Sequence, residues 1–183
     1  MVDDEQKIRI SGLWDNLKRY DSYISAVNFR SGLLTSFAAA VFGGVILKAD
    51  QLIQASQNLK IAITVSLLGI GISSLLIIYW VIKSIWPNLT TNKHKLNKPS
   101  IFFFGSVSKN FNAKTYAETL HDIPIDEFEA DLAIQVHEVA EVTLLKFSTI
   151  SKAANCAKLN LLLLMILLAL VLADSIGIHI CAA

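Results

Sequence analysis

The feature that most constrains this chain is the apolar run at residues 61–82, IAITVSLLGIGISSLLIIYWVI. It contains no charged residue, and Lys60 and Lys83 stand directly on either side of it. As a helix that rises about 1.5 Å per residue it would be about 33 Å long, which matches the hydrocarbon thickness of a bilayer. Tyr79 and Trp80 near its end are typical of the interface between lipid and water. This run therefore predicts a membrane-spanning helix.

Two further segments are apolar enough to cross a membrane. Residues 159–183 follow Lys158, and Asp174 is the only acidic or basic residue among them apart from histidine. Residues 31–47 are shorter and richer in glycine and alanine, and they reach spanning length if Arg30 lies among the lipid headgroups. The alternative for this segment is a buried hairpin arm. We expect a mainly α-helical integral membrane protein with three transmembrane helices and a small helical cytoplasmic module.

The distribution of positive charge predicts how these helices are oriented. Cations precede the first span and lie between the second and third, whereas residues 48–60 have lysine only at their two ends. Because lysine and arginine are concentrated on the cytoplasmic side of membrane proteins, we expect the amino terminus in the cytoplasm and the carboxyl terminus outside. The cations concerned are Lys18, Arg19, Arg30, Lys83, Lys93, Lys95, Lys98, Lys146, Lys152 and Lys158.

The predicted spans divide the chain into four segments. The first is a cytoplasmic juxtamembrane helix and the second is a transmembrane hairpin of two helices. A cytoplasmic linker with a helical sensor module follows, and the third transmembrane helix comes last. In order, these segments are residues 1–30, 31–83, 84–158 and 159–183.

The module between the second and third spans is predicted to contain two helices. Asn112 is a typical N-cap for a short helix in NAKTYAETLH. A long amphipathic helix is expected to begin near Pro124 or Asp126 and to continue into the third span without a break. Upstream, the aromatic run SIFFFGSVS favours extended or tightly packed backbone. We expect its phenylalanines, 102–104, to anchor the linker onto the long helix or onto the helix at residues 13–29.

A search for catalytic and metal-binding motifs finds none that is complete. There is no phosphate-binding glycine-rich loop, no nucleophile elbow and no cysteine pair at metal spacing. The motif HEVAE places Glu141 where a zinc-binding HExxH motif needs its second histidine, so no metal is expected. A net charge of +1 offers no basic surface for a nucleic acid polymer. Asp174 is a candidate for a role inside the membrane, the alternative being that it marks the outer interface.

The order of these features resembles the transmembrane effectors of Pycsar (pyrimidine cyclase) antiphage defence systems. The resemblance runs over residues 20–172. It begins with a motif before the first span, in which Arg30 stands where the family has lysine. His137 departs from the aromatic or aliphatic residue that the family tends to have. The matching residues are Asn28, Arg30, Ser31, Phe103, Phe104, Gly105, Tyr116, Asp131, Gln135, Ala140, Lys146 and Ala153.

The resemblance implies a non-enzymatic effector of the bacterial inner membrane. In such systems a partner cyclase senses phage and makes a cyclic nucleotide, typically cyclic UMP or cyclic CMP. The effector then impairs the membrane, and the infection is abortive. Small residues in the first two spans favour packing between copies, so we expect a homo-oligomer in the lipid bilayer. A small scaffold subunit of a membrane complex would share every apolar feature and remains the alternative.

A cyclic monophosphate carries one negative charge and an aromatic base. Its site needs cations or amide donors beside a ring or an apolar shelf. The candidate cations are Arg30, Lys146 and Lys152, and the candidate amides are Asn28 and Gln135. Each has a structural alternative: a membrane anchor for the arginine, positive-inside charges for the lysines, and a helix contact for the glutamine.

Overall fold

The computed structural model describes residues 4–55, 59–86 and 98–175. Within them 92% of the residues are helical and no strand occurs, which confirms the predicted mainly α class. Most of the predicted polar linker, and the last eight residues of the chain, lie outside the described residues. The helices are α1 (Asp4–Ala55), α2 (Lys60–Ile85), α3 (Phe104–Asn110), α4 (Ala113–Asp122) and α5 (Ile125–Ser175).

The two predicted helices of the module are confirmed as α4 and α5. The Asn112 side chain accepts a hydrogen bond from the Thr115 backbone N–H at 2.9 Å, and the Thr115 hydroxyl accepts one from the Asn112 backbone N–H at 3.0 Å. This reciprocal pair satisfies amides that the first turn of α4 leaves free. Helix α5 begins directly after Pro124 and continues to Ser175 without interruption, as predicted.

The run SIFFFGSVS differs from the prediction, because it enters helix α3 at Phe104. Only the stretch up to Phe103 is non-helical. The buried carboxylate of Asp131 accepts hydrogen bonds at Oδ2 from the Ser100 hydroxyl, at 3.0 Å, and from the Ile101 backbone N–H, at 2.8 Å. These contacts hold the chain in a bend before α3, so tertiary hydrogen bonding overrides the strand preference of the aromatic residues.

The molecule divides into two compact units. The first comprises Met1–Ala26 and Pro87–Leu145, and the second comprises Val27–Trp86 and Lys146–Ala183. Helices α3 and α4 belong to the first unit and α2 to the second, whereas α1 and α5 contribute residues to both.

An aromatic cluster centred on Phe102 holds the first unit together. Its ring meets that of Trp14 on α1 edge to face, with centroids 5.7 Å apart, and that of Phe128 on α5 at 5.0 Å. The predicted anchoring role is therefore confirmed for Phe102. It is wrong for Phe104, which is 71% exposed. The α3 helix turns that ring outward, where its centroid lies 5.0 Å from the centroid of the Phe103 ring.

The second unit packs α1, α2 and α5 around small and branched apolar residues. Three helices of the described chain are long and apolar enough to cross a membrane, as predicted. Many large apolar side chains point away from the core, among them Leu47 at 78% exposure and Ile61 at 82%. This outward surface fits lipid, and it does not fit a buried arm for residues 31–47. The central core residues are Val27, Ala38, Ile77, Val81, Ile150, Ala153 and Ala157.

Candidate functional site

The sequence-based candidates for the ligand are distributed over both units. Gln135 is half-buried in the first unit, whereas Asn28, Arg30, Lys146 and Lys152 belong to the second. Asn28 and Arg30 are exposed on α1. None of the five residues lines either of two hollows in the first unit, one beside α1 and one between α4 and α5.

Lys146 makes a structural contact that the sequence did not predict. Its ammonium donates a hydrogen bond to the Ser84 carbonyl oxygen at 3.0 Å, and the Ser84 hydroxyl donates to the Lys146 carbonyl at 3.4 Å. The Ser84 carbonyl lies in the last turn of α2, where carbonyl groups have no partner within the helix. The buried lysine therefore caps α2 and places a positive charge at the negative end of its dipole.

Two lysine side chains flank one indole near the end of α2. The ammonium of Lys152 lies 4.7 Å from the centroid of the Trp80 ring, and that of Lys83 lies 5.3 Å from it. Tyr79 meets the same ring edge to face at 5.2 Å. Tryptophan and tyrosine with nearby cations are typical of a membrane interface, where ammonium groups also meet lipid phosphates.

A polar cluster joins α2 to α5 inside the second unit. The Asn160 side chain is fully buried, and its amide nitrogen lies 2.8 Å from the Ser73 hydroxyl, 2.9 Å from the Ser74 hydroxyl and 3.1 Å from the Ile70 carbonyl oxygen. Its Oδ1 atom is buried without a hydrogen-bond partner among the described residues. No water is available in apolar surroundings to replace these hydrogen bonds. The cluster therefore favours one packing arrangement of the two helices.

One hollow in the first unit combines positive charge with an aromatic ring. It has a volume of about 640 Å³, and its wall contains two lysines and one acidic residue: it is lined by Lys7, Ile10, Ser11, Trp14, Asp15 and Lys18 of α1 and by Ile125 of α5. Both lysines make exposed ion pairs on their own helix, with Asp4 at 3.1 Å and with Asp15 at 3.3 Å. Such pairs contribute at most about 1 kcal/mol, so a ligand anion can replace either of them.

This hollow, which we name the α1 hollow, was not predicted from the sequence, although its residues have a recognisable helical spacing. Residues 7, 11, 14 and 18 recur at steps of four, three and four, which is the spacing of one helix face. The start of α1 is held against α5 by Arg9, whose Nε donates to Glu129 Oε1 at 2.7 Å, and by Gln6, whose amide donates to Asp126 at 2.7 Å. The hydrogen bond from Arg9 lowers the pKa of Glu129 below its ordinary value.

A second hollow in the first unit is larger and acidic. It encloses about 850 Å³ between α4, the stretch before α3 and the start of α5. Its wall includes Glu118, Asp122, Glu127 and Asp131 but a single lysine, Lys98, which binds Glu127 at 2.8 and 2.9 Å. The Oδ1 atom of Asp131 is buried and has no partner among the described residues. This charge balance disfavours an anionic ligand.

Comparison with known families identifies the chain over most of its length. A family model described as the Pycsar effector protein domain matches residues 12–173. The match includes Trp14, Lys18 and the Asn160 cluster, and it excludes Lys7 and Asp174. Neither the comparison with curated proteins nor that with solved structures finds a match.

Proposed function

The chain belongs to the Pycsar effector family, and we propose that a cyclic pyrimidine nucleotide activates it to impair the inner membrane. As a member of this family it is an antiphage defence effector and a membrane protein, and a cyclase is its implied partner. The proposed ligand is cyclic UMP or cyclic CMP, and the proposed outcome is abortive infection. In this scheme the protein is not an enzyme, because binding energy alone drives the response.

The observation that carries this proposal is the continuity of α1 and α5. Each helix contributes residues to both units without a break. A ligand that changes how these two helices pack in the first unit therefore acts on helices that also form the membrane-spanning unit. Small shifts of packed helices are a common way for a local binding event to change a distant site.

The α1 hollow is the nucleotide site that we propose. Its lysines suit the phosphate, and the 37% exposed Trp14 ring offers a stacking surface for the base. The Trp14 ring contacts Phe102, which in turn contacts Phe128 on α5, so a ligand on Trp14 touches an aromatic chain between the two continuous helices. The sequence-based candidates, which include Arg30 and Lys152, remain predictions and can be tested alongside the α1 hollow.

The orientation of the chain is a separate prediction. Reporter fusions after Lys83 and at Ala183 are expected to report the cytoplasm and the exterior respectively, because cations are concentrated around the central segment. Alkaline phosphatase and fluorescent-protein fusions at both positions make the measurement. Two fusions that report the same side would contradict a chain with three spans.

Membrane failure that depends on the cyclase tests the proposed function. Cells that carry this protein and its cyclase are expected to lose membrane potential and to admit an impermeant dye after phage infection, before lysis. A catalytically inactive cyclase should abolish both signals. Dye entry that is equal with active and inactive cyclase would instead favour a scaffold subunit.

Charge substitutions then test the proposed site. Lys18→Gln is expected to raise the nucleotide concentration for half-maximal response about fivefold, because an exposed cation contributes about 1 kcal/mol to binding an anion. Lys114→Gln is the matched control, since Lys114 is an exposed lysine of the same unit outside the hollow. Arg30→Ala tests the sequence-based candidate. A response that Arg30→Ala weakens and Lys18→Gln leaves unchanged would move the site to the second unit.

A further inference from the structure

The contacts between α2 and α5 show which part of α5 lies beside the uncharged run of α2. At one end Lys146 meets Ser84, and the Lys152 ammonium lies over Trp80. Further along, Asn160 meets Ser73 and Ser74, and a Cβ atom at Gly69 would lie 3.2 Å from Leu163. At the other end Leu167, Leu170 and Val171 pack on Leu59, Ile63 and Leu67. The helices are therefore antiparallel, and residues 148–171 of α5 run beside residues 61–82 of α2.

This register places polar residues of α5 at the depth of an uncharged helix. Since Asn160 is level with Ser73 and Ser74, Lys158 is level with about Leu75, inside the uncharged α2 run. Along α5 it lies six residues, about 9 Å at 1.5 Å per residue, beyond Lys152, whose ammonium lies over the Trp80 ring. A lysine side chain reaches only about 6 Å, so the Lys158 ammonium stays about 3 Å inside the level of Trp80 even when it extends along the helix. Its ammonium instead lies 3.4 Å from the Asn155 side-chain oxygen.

These polar residues form one stripe on the side of α5 opposite its buried face. Every member of the stripe is exposed in the second unit, whereas Ile150, Ala153 and Ala157 on the other side are buried in its core. Toward the end of α5 the same side of the helix continues with exposed apolar residues, which are Leu159, Leu162 and Ile166. The α5 stripe consists of Ser148, Ser151, Lys152, Asn155 and Lys158.

We propose that the α5 stripe lines a water-filled, anion-conducting path between copies of this chain. Charged side chains at membrane depth are costly unless they face water or protein, and no charged residue occurs in residues 31–47 or 61–82 to pair with them. Other copies that present the same stripe supply a polar path, with Lys158 inside the membrane and Lys152 at its mouth beside Trp80. This inference rests on the proposed function and specifies its membrane step as a pore.

The α5 stripe and its apolar continuation have different roles in this pore. The stripe carries both lysines, which favour anions as rings of basic side chains do in other channels. The continuation, at Leu162 and Ile166, is apolar, and a narrow apolar ring excludes water until it widens. A shift of α5 that widens this ring opens the path. In this proposal residues 148–171 of α5 lie inside the membrane, whereas the sequence predicts residues 159–183 as the third span.

Cysteine accessibility tests whether water reaches the stripe. In full-length protein with Cys156 and Cys181 replaced by serine, Lys158→Cys is expected to react with a charged, membrane-impermeant thiol reagent once the cyclase is active. Leu75→Cys is the depth-matched control, because Leu75 lies on α2 near the same level and is 51% exposed on the lipid-facing surface. Lys158→Cys should react at least about tenfold faster, because thiolate formation needs water.

Ion selectivity is the second measurement. In planar bilayers with purified protein and cyclic UMP or cyclic CMP, the parent should prefer chloride over potassium, and Lys158→Glu should reverse that preference. Equal labelling of Lys158→Cys and Leu75→Cys would overturn the pore, and so would unchanged selectivity in Lys158→Glu. In either case membrane failure in the parent would still support the proposed function. Parent cells without membrane failure would refute the proposed function, and cysteine labelling would still decide whether water reaches the stripe.

Discussion

Asn160→Asp is expected to destabilise the second unit by about 3 kcal/mol or more, which is the cost of an acidic side chain at membrane depth. The Asn160 amide nitrogen faces three oxygen atoms, those of Ser73, Ser74 and the Ile70 carbonyl, and the side chain is fully buried. A carboxylate cannot donate to the Ile70 carbonyl as the amide does, and both serine hydroxyls already donate to that carbonyl. The substitution therefore introduces a buried charge that has no partner of opposite sign.

The matched substitution for this site is Asn160→Leu. Leucine removes the amide contacts, but it also removes the Oδ1 atom that has no partner, and both serine hydroxyls still donate to the Ile70 carbonyl at 3.0 and 2.9 Å. Its expected cost is about 1–3 kcal/mol, because leucine is apolar but its methyl groups need more room than the 2.8–3.1 Å hydrogen-bond distances leave. Thermal unfolding in detergent measures both variants. A leucine variant less stable than the aspartate variant would contradict this account of the cluster.

Phe102→Ala is the second substitution with a large expected effect. It removes two edge-to-face contacts, to Trp14 at 5.7 Å and to Phe128 at 5.0 Å, and it leaves a cavity between α1 and α5. We expect a loss of about 2–3 kcal/mol, at the low end for a phenylalanine because Phe102 is half-buried. Pulse proteolysis in a urea series gives the free energy of unfolding.

Phe104→Ala is the control for this measurement. Phe104 is the second residue after Phe102 in the same aromatic run, but it is 71% exposed. Its expected cost is within about 0.5 kcal/mol, as for other surface substitutions. Equal losses in the two variants would show that the aromatic run acts as a whole and that Phe102 is not its anchor. Under the proposed mechanism, Phe102→Ala should also weaken the membrane response in cells.

Sequence reasoning identified most of the helices because their signals are local. The uncharged run of α2, the Asn112 cap and the continuous pattern from Pro124 onward each depend on residues close together in the chain, and each is confirmed. The conformation of SIFFFGSVS is different, since it depends on hydrogen bonds to Asp131, about thirty residues away. No local pattern contains that contact.

The functional residues were harder to predict than the helices. Lys146 was selected as a ligand cation because of its charge, yet it caps α2 through Ser84, a contact across 62 positions. The Trp14 face of α1 has a recognisable helical spacing, but only the contacts of Phe102 with Trp14 and with Phe128 show that this face is linked to α5. The sequence nevertheless contained the order of motifs that led to the family, and the family match confirms that resemblance.

The sequence by itself determined that this chain is helical and crosses a membrane, because an uncharged run longer than about 20 residues has few other stable environments. It could not determine which residues of α5 lie beside which residues of α2, because hydropathy describes each segment separately. The tertiary structure decided this through side-chain contacts, in which Asn160 meets Ser73 and Ser74. Those contacts set the register between two helices, and register is a property of the pair that neither helix encodes alone.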